Sequence, residues 1–160
     1  MYETSLLSGT TQVSLDTKGR LLIPVRYRQS LTEQNEGNLV VTRSLFDKCL
    51  WIYPVDEWDS VVSSLGQLPV LADNLCRTIQ RVLLGSAVFC QLDVQGRILL
   101  PQELRDYTCI SKVAYLIGFN NKFELWSEDN YKAQLQADDA ALSQALSAIS
   151  SHPVLSNLKL

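Results

Sequence analysis

LDTKGRLLIP, residues 15–24, returns further along the chain as LDVQGRILLP, residues 92–101. Asp16, Gly19, Arg20 and Pro24 recur as Asp93, Gly96, Arg97 and Pro101, at a constant offset of 93 − 16 = 77. Leu15/Leu92 and Leu22/Leu99 are also identical, and widening the windows to 15–28 and 92–105 adds Arg28/Arg105, where average composition yields roughly one chance match. A duplicated unit is the economical explanation.

The likeness extends outward. NLVVTRSLFDKCLWIYPVDEW in the first half is answered by KVAYLIGFNNKFELWSEDNY in the second, with Tyr53 and Trp126 each closing an apolar alternating run before an acidic, helix-opening stretch. The offset there is 126 − 53 = 73, so the first copy has a connection four residues longer. Each copy reads in the same order. TQVSL and FCQL are strands, Asp-x-x-Gly is a turn, RLLI and RILL are second strands, and Pro24 or Pro101 opens a short helix, because the first helical turn needs no N–H partner. A hairpin follows, turning at RSLFDK or GFNNK, and then a helix. Between the copies, DNLCRTIQRVLLG predicts an amphipathic helix with Leu75, Ile79, Val82 and Leu83 on one stripe and Arg77 and Arg81 on the polar side. Ser127 is placed to cap a helix opened by Glu128 and Asp129. DDAALSQALSAIS predicts a final, weaker helix, and SHPVLSNLKL a mobile tail.

With 14 Lys+Arg against 17 Asp+Glu among 160 residues, the net charge of −3 exerts no global pull on polyanions, so any such binding must come from local clustering. Residues 16–28 supply it: Lys18, Arg20, Arg26 and Arg28 stand against Asp16 alone. The matching stretch 93–105 sets Arg97 and Arg105 against Asp93 and Glu103 and is neutral. The copies are alike in shape and unequal in charge. Cys49, Cys76, Cys90 and Cys109 are scattered, with neither C-x-x-C nor a neighbouring histidine, which points to reduced thiols and away from zinc. MYETSLLSGT lacks the basic and apolar regions of a leader, and no stretch reaches the roughly 18 unbroken apolar residues of a membrane span. A cytoplasmic protein is expected.

Asp at the entrance of a tight connection accepts backbone N–H bonds, and Gly supplies positive φ; this gives both residues structural duties. Arg20 and Arg97 leave two readings open. Either the Asp carboxylate clamps the guanidinium internally, or the planar fork of donors reaches outward to phosphate or guanine. Lys18 at the first loop tip and Arg26 and Arg28 just beyond it would present several cations on one surface, with a solvated charged face as the alternative. Gln95 replaces Lys18 in the second copy, keeping hydrogen-bonding capacity without charge. Trp51, Trp58, Trp126 and Tyr53 are read as core or subunit-contact residues ahead of a base-stacking platform. Catalysis finds little to work with. The sole histidine, His152, lies in the tail, and nucleophile elbow, phosphate-binding loop and HExxH are all missing. No cofactor, metal or small-molecule substrate is expected.

The doubled D-x-x-x-R element (DTKGR, DVQGR), the LDxxGRxxxPxxxR frame, the central CRTIQRVLLGSA and the NKFELW run together resemble the MraZ family of bacterial transcriptional regulators. The likeness runs from about Gly9 to Tyr131. The LDxxGRxxxP pattern occurs singly in the wider AbrB and MazE class of DNA-binding domains. The resemblance implies an α+β fold, namely a duplicated AbrB/MazE-like swapped-hairpin β-barrel with peripheral amphipathic helices, in which the two copies pair as two subunits do in AbrB-like dimers. It implies cyclic homo-oligomers, nucleoid association and repression by binding short direct repeats in the promoter of the division and cell-wall gene cluster. A ring-forming scaffold without specific DNA readout is the competing reading.

On this frame the first repeat spans residues 9–66, a connecting helix 67–85, the second repeat 86–137, and a C-terminal helix and tail 138–160. The family's D-x-x-x-R positions fall on Asp16, Arg20, Asp93 and Arg97, and its loop glycines on Gly19 and Gly96. The loops and strand ends around Lys18, Arg20 and Arg97 are assigned to a DNA groove, with Gly19, Gln95 and Gly96 counted in the DNA-binding set. Arg26, Arg28 and Arg105 are assigned to phosphate contact, and Asp16 and Asp93 to holding the loops. The departure at Gln95 puts equal participation of the two copies in question.

Overall fold

The structure is a computed structural model and describes residues 7–160. Its elements follow in the order β1 (Thr10–Ser14), β2 (Arg20–Leu22), α1 (Val25–Asn35), β3 (Asn38–Arg43), β4 (Leu50–Pro54), α2 (Val55–Leu65), α3 (Asn74–Gly85), β5 (Val88–Gln91), β6 (Arg97–Leu99), α4 (Gln102–Thr108), β7 (Val113–Phe119), β8 (Lys122–Ser127) and α5 (Glu128–Ser151). A 3₁₀ turn, Leu155–Asn157, follows. One compact unit ends at Glu128, and Asp129–Leu160 form a second.

The first unit is an α+β fold built on a six-stranded antiparallel sheet, ordered β1-β7-β8-β4-β3-β5, and a two-stranded ribbon of β2 and β6. Neither copy completes its own sheet. β1 pairs with β7 of the second copy, β5 pairs with β3 of the first, and β4–β8 and β2–β6 join equivalent strands. A copy alone would leave hairpin edges unpaired, so the exchange satisfies the backbone groups of both. The six-stranded sheet is open, with β1 and β5 at opposite ends of its strand order, so it does not by itself close into the expected swapped-hairpin β-barrel.

The register locates the four extra residues of the first copy. Leu15 N–H donates to Lys112 O and Leu92 N–H to Gly37 O, an offset of 112 − 37 = 75 at the start of the hairpins. Two residues are therefore absorbed between β2 and β3, where α1 has 11 residues against 7 in α4. The other two lengthen the first hairpin turn, since Arg43 pairs with Leu50 whereas Gly118 pairs with Phe123.

Alternation along the strands divides the sheet into two faces. Leu39, Val41, Leu50, Ile52, Leu116, Phe123 and Leu125 point into the main core, where they meet Leu21 and Ile98 from the ribbon and Leu31 and Leu104 from α1 and α4. Burial of each such Leu or Ile contributes about 1.5–3 kcal/mol. Val40, Thr42, Trp51 and Tyr53 occupy alternate positions and are also buried, as are Trp58 of α2 and Leu83 of α3. Thr42 Oγ1 donates to Leu83 O at 2.8 Å, tying the end of α3 to β3.

Pro24, Pro54 and Pro101 each sit immediately before a helix, as the cap residue. The first of these helices is not short, since α1 continues to Asn35. α3 forms where expected, with Asp73 Oδ1 accepting from Cys76 N–H. Its stripe is enclosed only in part: Leu83 is buried and Ile79 and Val82 are half-buried, whereas Leu75 is 67% exposed. DDAALSQALSAIS is not a separate helix but the second half of α5, which runs unbroken because no glycine or proline interrupts it. In the tail, His152 Nδ1 accepts from Val154 N–H and Leu155 N–H, each at 3.1 Å, and caps the 3₁₀ turn. No helix among the described residues is long and apolar enough to cross a membrane.

Candidate nucleic-acid interface

Each D-x-x-G-R loop is organised by one carboxylate. Asp16 Oδ1 accepts from the backbone N–H of Lys18 (3.0 Å) and Arg20 (2.9 Å), while Oδ2 accepts from Arg20 Nε at 2.6 Å. Gly19 N–H closes the turn onto Asp16 O at 3.0 Å, and its φ of +84° is the conformation that glycine adopts without cost. The second loop repeats this bond for bond. Asp93 Oδ1 accepts from Gln95 N–H and Arg97 N–H, Oδ2 from Arg97 Nε, all at 2.9 Å, and Gly96 has φ +81°. The backbone N–H of Arg20 does most to hold the Asp16 carboxyl below its ordinary value of 3.8, and Arg97 does the same for Asp93. Both carboxylates are thus charged and occupied at neutral pH.

The ribbon sets the loops side by side. Ile23 N–H donates to Gly96 O and Leu100 N–H to Gly19 O, both at 2.9 Å, and Arg97 Nη1 lies 3.7 Å from Asp16 Oδ2 of the other loop. Of the two readings open for the arginines, the internal clamp is present, but it does not seal them in. The side chains of Arg20 and Arg97 remain 34% and 25% exposed. Lys18 and Gln95 are exposed at the two tips. The Arg20 guanidinium makes its hydrogen bond to Asp16 through Nε.

The three remaining arginines are placed differently. Arg26 is turned toward β1: its Nη2 donates to Thr11 Oγ1, and its guanidinium lies 4.7 Å from the centroid of the Tyr27 ring. Arg28 Nε donates to Ile23 O at 2.6 Å and Arg105 Nε to Leu100 O at 3.1 Å, so both are drawn onto the ribbon.

The ribbon also carries an apolar component that the charge pattern does not reveal. Leu22 and Leu99, one on each ribbon strand, are 41% and 58% exposed, and Val94 is fully exposed in the second loop. The period-2 alternation of RLLI and RILL carries this signal: if Leu21 and Ile98 point inward, the next residue points out. The aromatic residues take the core role. Trp51, Tyr53, Trp58 and Trp126 are buried, and the Lys122 ammonium lies 4.8 Å from the Trp51 ring centroid and 5.5 Å from that of Tyr53, so a base would have to displace it. The cysteines are free. Burial pushes the Cys49 and Cys90 thiols up to about 12 and about 11, whereas Cys109 is exposed after α4.

The profile of the family described as "MraZ protein, putative antitoxin-like" matches the chain twice, over residues 6–81 and 83–149. The chain belongs to the MraZ family. Among its relatives, a transcriptional regulator MraZ of Pseudomonas aeruginosa (strain LESB58) is 44% identical over 139 residues, covering 87% of this chain and 91% of that protein. Transcriptional regulators MraZ of Pseudomonas fluorescens (strain Pf-5) and Pseudomonas putida (strain F1) are each 45% identical over the same span. The two matched stretches of the MraZ family correspond to the two copies whose strands interlock in the fold.

Proposed function

We propose that this chain is a DNA-binding transcriptional regulator, acting in the cytoplasm at the nucleoid, whose paired D-x-x-G-R loops engage duplex DNA. The observation that carries this reading is the ribbon itself, which brings two arginines and the Lys18 tip onto one partly exposed surface in a protein of net charge −3. The names of the Pseudomonas relatives point the same way. In this reading Arg20 and Arg97 face base edges or phosphates, Lys18 supplies charge, Gln95 supplies hydrogen bonds, and Asp16 and Asp93 fix the loops. The pairing of β1 with β7 and of β5 with β3 supports the swapped arrangement that the resemblance implies.

Assembly into a cyclic homo-oligomer supplies the affinity one protomer lacks, because several weak sites on one particle act together. Exposed apolar side chains favour such assembly, notably Leu75 on α3 and Phe89, 68% exposed, on the terminal strand β5. The assembled ring occupies direct repeats in the promoter of the division and cell-wall cluster and represses it. The same exposed surface favours the second reading, a ring-forming scaffold without specific readout. Footprinting of DNA upstream of the protein's own gene, at stated salt, separates them. Phased, protected repeats are expected of the regulator, and uniform or no protection of the scaffold.

A further inference from the structure

Arg28 and Arg105 stand at equivalent fourth positions of α1 and α4, and by sequence both belong with the phosphate-binding arginines. Their surroundings give them another task. Each spends its Nε on the carbonyl of the ribbon residue five positions earlier, Ile23 or Leu100. The N–H of that same residue holds the glycine carbonyl of the opposite loop. The guanidinium is then laid across that glycine. A Cβ added to Gly96 would come within 2.7 Å of Arg28 Cζ, and one added to Gly19 within 2.7 Å of Arg105 Nη2. Arg28 also joins α1 to the second loop along an open cleft of about 360 Å³ lined by Thr32, Leu92, Asp93 and Val94. Neither arginine forms an ion pair among the described residues, so no carboxylate accounts for its position.

The contact is crossed: copy one braces the loop of copy two, and the reverse. We propose that Arg28 and Arg105 are positioning residues rather than phosphate contacts, each holding the D-x-x-G-R loop of the opposite copy in its DNA-facing shape. Glycine is required in both loops for a reason beyond positive φ, since the missing Cβ is the seat of the guanidinium. The two loops therefore respond as one unit, and damage in one copy is felt in the other. The DNA-facing part of this inference rests on the function proposed above, but the bracing itself does not.

The full chain carrying Arg28→Lys or Arg105→Lys keeps its charge and loses the Nε donor and planar face. Amide NMR of the free protein is expected to show the crossing. Arg28→Lys should move Gln95, Gly96 and Arg97 more than Lys18, Gly19 and Arg20, and Arg105→Lys the converse. Shifts centred on the variant's own loop overturn the brace, with no DNA involved. With short duplex DNA titrated at several salt concentrations, Arg28→Lys is expected to lose affinity several-fold, whereas a phosphate contact would survive the change. Arg28→Gln should lower affinity without altering the salt dependence; a slope shallower by about one unit identifies a phosphate contact and overturns the proposal. Crossed shifts with unchanged affinity also contradict a positioning role. If the wild-type protein binds no duplex, the functional reading falls and takes the DNA-facing part with it, while the NMR result still decides the bracing.

Discussion

The two loops are the same object with different charge. Their carboxylates, glycines and arginines make the same bonds at distances that agree within a few tenths of an ångström, yet Lys18 tips one and Gln95 the other. Shape is governed by backbone hydrogen bonds and positive φ, which tolerate little substitution. The tip points into solvent, where the side chain has no duty in the fold and is free to differ. A duplicated fold can thus keep one geometry and assign unequal electrostatic work to its halves.

Substitution can test the shared half of this comparison hardest. Leu21 and Ile98 are paired with each other across the ribbon and are fully buried. Leu21→Ala and Ile98→Ala are each expected to cost about 2–5 kcal/mol in chemical denaturation, with similar losses in the two copies. A large disparity would show that the ribbon strands are not equivalent. Next come the arginines. Arg20→Ala should lower affinity for duplex DNA by about 1–3 kcal/mol with the fold retained; Arg97→Ala should fall in the same range, and circular dichroism checks the fold.

The unequal half is tested at the tips. Lys18→Gln is expected to weaken binding regardless of sequence and to flatten the salt dependence by about one unit, and Gln95→Lys to steepen it by a similar amount. An unaltered slope removes Lys18 from the phosphate-contacting set. The smallest effect concerns pH. Because the folded carboxyls of Asp16 and Asp93 lie below their ordinary value of 3.8, their stabilisation is complete above that value and is lost as pH falls through the folded pKa. Loop amide shifts should therefore be flat between neutral and mildly acidic pH and move only below about 3.8.

Much of this was legible locally. Alternation, turn chemistry and proline placement located every strand, and Asp-x-x-Gly announced its own hydrogen bonds, because those interactions span only a few residues. Pairing between strands of different copies is non-local, and no periodicity in TQVSL says that it seeks β7 and not β3. That came with the family resemblance. The same limit applies to Arg28 and Arg105, whose charge suggests phosphate while the opposite glycines that seat them lie 96 − 28 = 68 and 105 − 19 = 86 residues away in sequence. The α3 stripe is visible in the sequence, but not that Leu75 at its start stays exposed while Leu83 near its end is buried and tied to β3 through Thr42. Four extra residues could be counted but not divided between helix and turn until the register was known.

The central claim is that the ribbon bearing both loops is the surface that holds DNA. The most direct measurement is a mobility shift of the protein's own upstream DNA by the folded Arg20→Ala/Arg97→Ala double variant, side by side with wild type at one salt concentration. The account predicts that the shift disappears while circular dichroism and particle size are unchanged. An undiminished shift at equal protein concentration would mean that another surface binds the duplex.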